Sequence, residues 1–179
     1  MTPGDHHVQR LHTLDEATLD ALAEVLIDCV EGGASVGFMA PLTHEQARAF
    51  WQRVARAVTA GERALLVARD AQGPCGTVQL ILDQPDNQPH RADLAKMLVH
   101  RRARCHGVGA ALMRAAEATA LDCGKTLLVL DTASAEAKRL YERHGWQLAG
   151  VVPDYALLPA GGYCDTTYYW RQLAPHAAR

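Results

Sequence analysis

The sequence predicts a single α/β domain in which a mixed β-sheet carries helices on both faces. Two observations lead to this fold class: strand, helix and strand alternate between residues 94 and 130, and further strand-like segments stand on either side of that unit. A strand–helix–strand unit places its two strands parallel in one sheet, with the helix crossing over a face. At 179 residues the chain also has the length of one domain.

The first half of the chain is predicted to form a short strand, two helices and a β-hairpin. Apolar periodicity places these five elements at residues 8–11, 14–30, 43–60, 64–68 and 77–82. The first helix stops at Gly32 and the second at Gly61, since glycine commonly follows a helix C-terminus. Thr43 and Gln46 have the spacing of a capping box, which indicates where the second helix begins.

The second half of the chain is predicted to supply four strands and two helices. They lie at residues 94–99, 107–123, 126–130, 134–144, 146–152 and 166–173. A glycine- and proline-bearing loop is expected over residues 153–165. The domain is predicted to span residues 8–173, and the small and polar composition of residues 1–7 and 174–179 predicts disordered tails.

Composition and charge restrict the class of function. The 18 Lys and Arg residues and 20 Asp and Glu residues give a net charge of −2, which disfavours a nucleic-acid partner. No apolar run is long enough for a membrane span and the start lacks a signal-peptide pattern, so we expect a cytoplasmic protein without a membrane partner. The five cysteines are expected to be reduced thiols. No metal is expected, since His100, His106 and His144 lack the spacing of metal ligands.

The segment from Arg104 to Gly109 lies between a predicted strand and a predicted helix. Gly107 and Gly109 therefore fall at a helix N-terminus, where free backbone N–H groups and the helix dipole favour a diphosphate. Arg104 adds a guanidinium, which binds phosphate oxygens well. Taken alone, the pattern R-x-x-G-x-G fits a glycine-containing turn at a helix start equally well.

A second informative segment is the predicted helix that begins at Ser134. Ser134, Lys138 and Tyr141 have the i, i+4, i+7 spacing that places a hydroxyl, an amine and a phenol on one helix face. Ala137 and Leu140 are then expected to turn toward the sheet. An ordinary amphipathic helix, with its tyrosine packed at the edge of the core, fits the same pattern.

Together the two segments resemble the GNAT superfamily of N-acetyltransferases. Residues 99–109 resemble the strand and R-x-x-G-x-G/A loop of that family, and residues 134–146 are similar to its N-x-x-A-x-x-L-Y-x-x-x-G-F helix. The resemblance spans roughly residues 14–173 and implies a mostly antiparallel sheet of about six to seven strands. Three shorter segments, residues 31–39, 91–93 and 130–132, resemble the tabtoxin-resistance acetyltransferases, which implies a role in toxin or antibiotic resistance.

The resemblance implies acetyl-coenzyme A (acetyl-CoA) as co-substrate. The residues that it assigns to cofactor binding are Met97, Leu98, Val99, Arg104, Cys105, His106, Gly107, Val108, Gly109, Ala110, Ser134 and Lys138. The strand residues would bind the pantetheine arm and offer an oxyanion donor through their backbone, and the loop would bind the pyrophosphate. Three residues depart from the family pattern: Arg101 stands where Pro is frequent, Cys105 where Gly is usual and Ser134 where Asn is common.

Transfer of an acetyl group from a thioester to an amine needs a group that accepts the amine proton and one that protonates the leaving thiolate. The resemblance places Tyr141 at the sulfur, as the general acid. Asp93 and Asp131 are the carboxylates that we favour as the base, since ligands collect at the C-terminal ends of parallel strands. An exposed strand acid at Asp93 and a turn or helix-start acid at Asp131 are the alternatives.

The acceptor side is expected to involve two loops. Ser35 and Phe38 belong to a glycine-rich loop that we interpret as a substrate wall, and Tyr163, with Tyr155, would close the other side. A flexible connector with surface aromatic residues fits the same composition.

These observations leave three hypotheses of function. The first is acetylation of a primary amine on a small molecule, such as an amino-acid-like toxin or antibiotic. The alternatives are acetylation of a protein N-terminus or lysine, and a non-catalytic module that binds acetyl-CoA. Either a monomer or a homodimer is compatible with the sequence.

Overall fold

The computed structural model describes residues 6–174, in which a seven-stranded sheet lies between two layers of helices. The strands are β1 (His7–Leu11), β2 (Arg63–Asp70), β3 (Gly73–Ile81), β4 (Arg91–Val99), β5 (Leu127–Thr132), β6 (Gln147–Leu157) and β7 (Tyr163–Gln172). The α-helices are α1 (Glu16–Glu31), α2 (His44–Thr59), α3 (Val108–Asp122) and α4 (Ala135–Arg143). A 3₁₀ turn, Arg101–Ala103, follows β4.

The strand order in the sheet is β1-β2-β3-β4-β5-β7-β6. Only β4 and β5 are parallel, joined by α3 as the crossover, so the predicted mixed and mostly antiparallel sheet is confirmed. The parallel pairing covers only Arg91–Asp93 against Leu127–Val129, although β4 continues to Val99. Beyond Asp93 the edge of β4 that faces β5 therefore has no strand partner, and a gap opens in the middle of the sheet.

A β-bulge interrupts β4 beside this gap. Thr77 of β3 opposes Leu98, whereas Gln79 opposes Ala95, so β4 carries one extra residue at this point. Lys96, in the bulge, has a φ of 50°, which few residues other than glycine adopt. The bulge shifts the alternation of side chains, so that Leu94 and Leu98 belong to different cores.

Each face of the sheet has its own core. Helices α1 and α2 cover one face, with Leu22, Leu26 and Trp51 fully buried. Helices α3 and α4 cover the other, with Leu112 and Met113 fully buried. The capping box of Thr43 is present, and no helix in residues 6–174 is both long and apolar enough to cross a membrane.

Two predicted boundaries differ from the structure. β1 begins at His7, inside the predicted N-terminal tail, because this residue pairs with Arg69 of β2. The predicted loop 153–165 is mostly strand, since β6 and β7 stay paired as far as Leu157 and Tyr163. The sequence suggested a loop because of its glycines and prolines, but β6 is an edge strand and accommodates Pro153. Residues 1–5 and 175–179, which hold the rest of the predicted tails, lie outside the described residues.

Candidate active site

A cleft of about 1160 Å³ opens at the gap between β4 and β5. Its walls combine the loop after α1, the end of β4, the turn before α3, and the segment that leads from β5 into α4. Residues from β6 and β7 close one side. The predicted cofactor loop and the predicted catalytic helix are therefore brought to one site.

The turn before α3 offers backbone N–H groups to the cleft. Gly107 is the N-cap of α3 with a φ of 83°, and no side chain caps the helix. The first-turn N–H groups have no intrahelical acceptor, which suits them to bind a phosphate. A Cβ on Gly109 would lie 3.2 Å from Cδ2 of Leu140, so glycine permits the close approach of α3 and α4. These features fit the diphosphate that the sequence predicts here.

Two of the three arginines in this turn bind carboxylates instead of facing the cleft. Arg101 donates its backbone N–H and its Nε to Asp28, at 2.8 and 2.7 Å. Arg102 pairs with Asp70 and donates to the carbonyl of Pro74. Arg104 alone of the three lines the cleft, so it is the one whose guanidinium remains a candidate for the phosphate cation.

Asp28, at the end of α1, anchors the turn to the rest of the fold. The residue is only 8% exposed, and burial opposes ionisation of its side chain. The hydrogen bonds from Arg101, together with the charges of His100 and Arg101, outweigh this effect, so the pKa of Asp28 is lowered. Sequence reasoning did not identify Asp28, because its partner lies 73 residues away.

The carbonyl of Val99 is occupied by protein groups. His100 donates its N–H to Cys75 on β3, so the alternation of the strand directs the Val99 carbonyl toward the gap. There it accepts from Nε of Arg104 at 3.0 Å and from Sγ of Cys29 at 3.6 Å. A pantetheine amide that binds this carbonyl, which belongs to the predicted edge Met97–Val99, would displace Arg104 from it.

The start of α4 is capped by Ser134. Its hydroxyl accepts the N–H of Ala137 at 3.2 Å and donates to Glu136 at 3.0 Å. Ser134 lines the cleft as predicted, whereas Lys138 does not. The cations that α4 presents to the cleft are instead Arg139 and Arg143.

Tyr141 lines the cleft from the buried side of α4. It is 4% exposed and packs against the rings of Trp146 and Tyr169, with centroids 5.8 and 6.0 Å away. It therefore lies with Ala137 and Leu140 in the core, not on an open face with Lys138 as predicted. Burial, with a contribution from Asp131, raises the pKa of the phenol, which stays protonated and able to donate.

Asp131, at the end of β5, presents a carboxylate to the same cleft. Leu128 and Leu130 point into the core under α3, so alternation directs Asp131 to the opposite face of the sheet. The buried hydroxyl of Thr166 donates to its Oδ2 at 2.8 Å and orients it. The other oxygen, Oδ1, makes no hydrogen bond among the described residues.

Asp93, the second predicted base, does not line the cleft. Its carboxylate pairs with Arg91 and accepts from Nε2 of Gln84 at 3.2 Å. The β4 bulge comes after Asp93, and this residue is still paired with β5, so it lies at the closed end of the gap. The structure thus separates the two carboxylates that the sequence treated as equivalent.

Of the three predicted acceptor residues, only Ser35 lines the cleft, and the predicted cofactor residue His106 does not. Ser35 lines the cleft and donates to the carbonyl of Leu157 at 3.4 Å. Phe38 packs edge-on against Phe50, with ring centroids 5.3 Å apart, and does not line the cleft. Tyr163 is 71% exposed at the start of β7 and, like His106, is outside the cleft.

Sequence reasoning did not identify two residues near the acceptor side, Tyr168 and Lys96. Tyr168 faces Asp131 across β5 and β7, and its hydroxyl hydrogen-bonds with that of Tyr155 at 3.0 Å. This bond, with burial, raises the pKa of Tyr168 to about 12. Lys96 lines the cleft from the bulge of β4. A lone lysine within the apolar run Leu94–Val99 was the signal that could have identified it.

Sequence comparison identifies the family. The sequence model of the acetyltransferase (GNAT) domain matches residues 61–148. An uncharacterized N-acetyltransferase in the hisH–hisA intergenic region of Azospirillum brasilense is 31% identical over 137 residues. The match covers 75% of this chain and 80% of that protein. The chain belongs to the GNAT family.

Solved structures share the fold. The yncA protein of Salmonella typhimurium, solved with its cofactor acetyl-CoA, matches with a TM-score of 0.78 and 20% identity over 98% of both chains. A ribosomal-protein-alanine N-acetyltransferase from Brucella melitensis matches with a TM-score of 0.78 and 19% identity, over 93% of this chain and 99% of that one. Family and fold together make this protein an acetyl-CoA-dependent N-acetyltransferase.

The site has groups that suit the diphosphate of acetyl-CoA. The first-turn N–H groups of α3 and the guanidinium of Arg104 are available for it, as described above. Among residues 6–174, no three His, Cys, Asp or Glu side chains are grouped so that they could hold a metal ion.

Proposed function

We propose that this enzyme acetylates a primary amine of a small molecule by direct attack of the amine on the thioester. The observation that carries the proposal is the position of Asp131 and Tyr141 in one cleft, beside the turn that precedes α3. Bound acetyl-CoA supplies the activated acetyl group. The remaining chemistry is the movement of two protons by side chains.

Asp131 is the group that accepts the proton of the acceptor amine. Thr166 holds one of its oxygens, which leaves Oδ1 free to receive a proton directly or through a water. The carboxylate also attracts the ammonium form of the acceptor before it is deprotonated. Asp93 is excluded from this role in the proposal because Arg91 and Gln84 already bind it outside the cleft.

Tyr141 is the group that protonates the leaving thiolate. Its ring is fixed by Trp146 and Tyr169, so the hydroxyl has a defined position in the cleft wall. The raised pKa keeps the proton on the phenol at neutral pH. Since a thiol has an ordinary pKa of about 8.5, transfer from the phenol is uphill and depends on close positioning.

A small acceptor is favoured by the enclosure of the cleft. The loop after α1 contributes Ser35, which is tied to β6 and β7 through Leu157 and Cys164. These contacts join two walls of the cleft across the acceptor side. The resemblance of residues 31–39 to the tabtoxin-resistance acetyltransferases further supports an amino-acid-like toxin or antibiotic as acceptor.

The test is release of coenzyme A thiol from acetyl-CoA with separate panels of small primary amines and short peptides. We expect release with small amines and little with peptides, and mass spectrometry should show one added acetyl group on the amine. Arg53→Met, on the exposed side of α2, is a control that should behave as the wild type. Release with peptides alone would contradict the proposal.

A second candidate, acetylation of a protein N-terminus, is favoured by one observation. The edge strand β6 leaves Val151, Tyr155 and Leu157 exposed, next to the cleft wall. A peptide can add to such an edge through backbone hydrogen bonds. The fold is also shared with the ribosomal-protein-alanine N-acetyltransferase, and the peptide panel tests this alternative directly.

A further inference from the structure

Lys96 is the one cation that β4 presents to the cleft, and the proposed chemistry does not use it. The β-bulge gives the residue a left-handed conformation, with a φ of 50°. Such a conformation is unfavourable for a lysine, and bulges commonly redirect a side chain beside a functional site. Its position is therefore a feature that needs an explanation.

The ammonium lies on the face of the sheet that α1 and α2 cover. Nζ is 5.9 Å from the centroid of the Phe50 ring, which belongs to α2. A Cβ on Gly37 would lie 3.6 Å from Nζ, so the loop after α1 also comes close to the ammonium. The turn that is proposed to bind diphosphate begins after Val99, and three residues of strand, about 10 Å, separate Lys96 from Val99. This turn packs with α3 on the opposite face of the sheet.

No protein anion neutralises this ammonium at close range. Among residues 6–174, Lys96 forms neither an ion pair nor a hydrogen bond, and the residue lines the cleft. Burial lowers the pKa of Lys96, Asp131 partly offsets this effect, and Arg63 adds to it. A half-buried cation that contacts an aromatic ring but has no ion-pair partner is a favourable site for the anionic group of a ligand.

We infer that Lys96 is a specificity residue that binds the carboxylate of the acceptor, so that the enzyme selects amines that also carry an acid group. The inference rests on the proposed acetylation of a small amine. Asp131 provides a negative charge for the ammonium of such an acceptor, and Lys96 a positive charge for its carboxylate. The same cleft therefore offers complementary charges to a zwitterion such as an amino acid.

The test compares each amino acid with its own carboxamide as acceptor, using kcat/KM for thiol release. We expect Lys96→Met to lower kcat/KM for the acid by about tenfold or more, mainly through KM, because a charged hydrogen bond to the carboxylate is lost. The carboxamide should be used as well by the variant as by the wild type. Comparing the acid-to-carboxamide ratio between the two enzymes cancels the difference in basicity of the two amines.

Two further variants make the test specific. Lys96→Arg keeps the charge and should keep most of the preference for the acid. Arg53→Met removes a positive charge from the exposed side of α2 and should leave the ratio unchanged. If Lys96→Met leaves the acid-to-carboxamide ratio of kcat/KM unchanged, including by an equal loss for both substrates, the inference is overturned. Wild-type enzyme that acetylates only amines without an acid group would also overturn it, while the proposed function would stand.

A binding measurement separates failure of this inference from failure of the proposed function. The sequence has only three lysines, Lys96, Lys125 and Lys138, so reductive ¹³C-methylation gives a simple NMR spectrum. Lys96 is assigned by its absence in Lys96→Arg. With coenzyme A present, single amino acids should shift the Lys96 signal in a saturable way. If no amine supports thiol release, the proposed function fails, and an unshifted Lys96 signal then overturns the inference as well.

Discussion

At the scale of single residues, Tyr141 and Asp131 reach the cleft from opposite sides of the sheet. The phenol belongs to the core under α3 and α4, and the carboxylate extends from the other face of β5. They are close enough for Asp131 to contribute to the raised pKa of the phenol.

Tyr141→Phe is expected to lower kcat by about 100-fold, because a positioned general acid contributes roughly 10²–10⁴. Affinity for acetyl-CoA should change little, since the ring still packs against Trp146 and Tyr169. Steady-state thiol release and calorimetry measure the two quantities. The raised pKa also means that ionisation of Tyr141 should not reduce the wild-type kcat below about pH 10. Undiminished turnover in the variant would remove Tyr141 from this role.

Asp131→Asn is expected to lower kcat/KM by about 100-fold, since the group proposed to accept the amine proton is removed. Asp93→Asn is the matched comparison, because that carboxylate is bound by Arg91 and Gln84 outside the cleft. It should keep kcat/KM near the wild-type value. Steady-state thiol release at neutral pH measures both variants. An unchanged kcat/KM in Asp131→Asn would show that another group is the base.

At the scale of elements, the turn between β4 and α3 depends on α1. Asp28 holds the backbone N–H and the guanidinium of Arg101, and His100 lies 3.7 Å from the same carboxylate. The turn therefore has a fixed position before any ligand binds. Arg101 replaces the proline that is frequent in the family, and its contact with Asp28 supplies a different restraint on the same turn.

Asp28→Asn tests this restraint. The free energy of unfolding at pH 7 should fall by about 2 kcal/mol, because hydrogen bonds to a buried charge are lost or weakened. The lowered pKa of Asp28 gives the sign of the pH dependence: its contribution is present above the unfolded pKa of about 3.9 and is lost as pH falls through the folded value. Urea unfolding from pH 7 to pH 3 measures this, with the exposed Asp86→Asn as control. Equal stability of Asp28→Asn and wild type at pH 7 would contradict the role.

At the scale of the whole molecule, the site exists because the sheet divides. β4 pairs with β5 over three residues and then continues to Val99 paired only with β3, which leaves room between β4 and β5. A ligand in this gap contacts both halves of the sheet and both helix layers. Binding should therefore stabilise the fold as a unit.

Coenzyme A at 100 times its Kd is expected to stabilise the protein by about 2.7 kcal/mol and to raise Tm by about 5–10 °C. Thermal unfolding with increasing coenzyme A measures the shift, and Arg104→Ala should reduce it at the same ligand concentration. Addition of EDTA should change neither Tm nor thiol release, since no metal is proposed to take part. No shift with coenzyme A would contradict the assignment of the turn.

Much of this site could be predicted where the signal is local. Gly107 and Gly109 at the start of α3, and Ser134 at the start of α4, follow from spacing and capping within one element. Asp93 and Asp131 could not be distinguished, because the difference lies in which strand segments remain paired. The sequence favoured Lys138 as the cofactor cation of α4, whereas Arg139 and Arg143 line the cleft. Which face of α4 turns to the cleft is set by the burial of Tyr141, and spacing alone does not give that rotation.

The sequence by itself determined the α/β class, the parallel crossover, the family and the segment that we expect to bind the diphosphate, because these depend on periodicity and short motifs. Only the tertiary structure decided where the sheet opens, which carboxylate faces the opening, and that Lys96 stands beside it. The physical reason is that the gap and the bulge of β4 arise from strand register. Register depends on packing between residues far apart in the chain, and no local pattern records it.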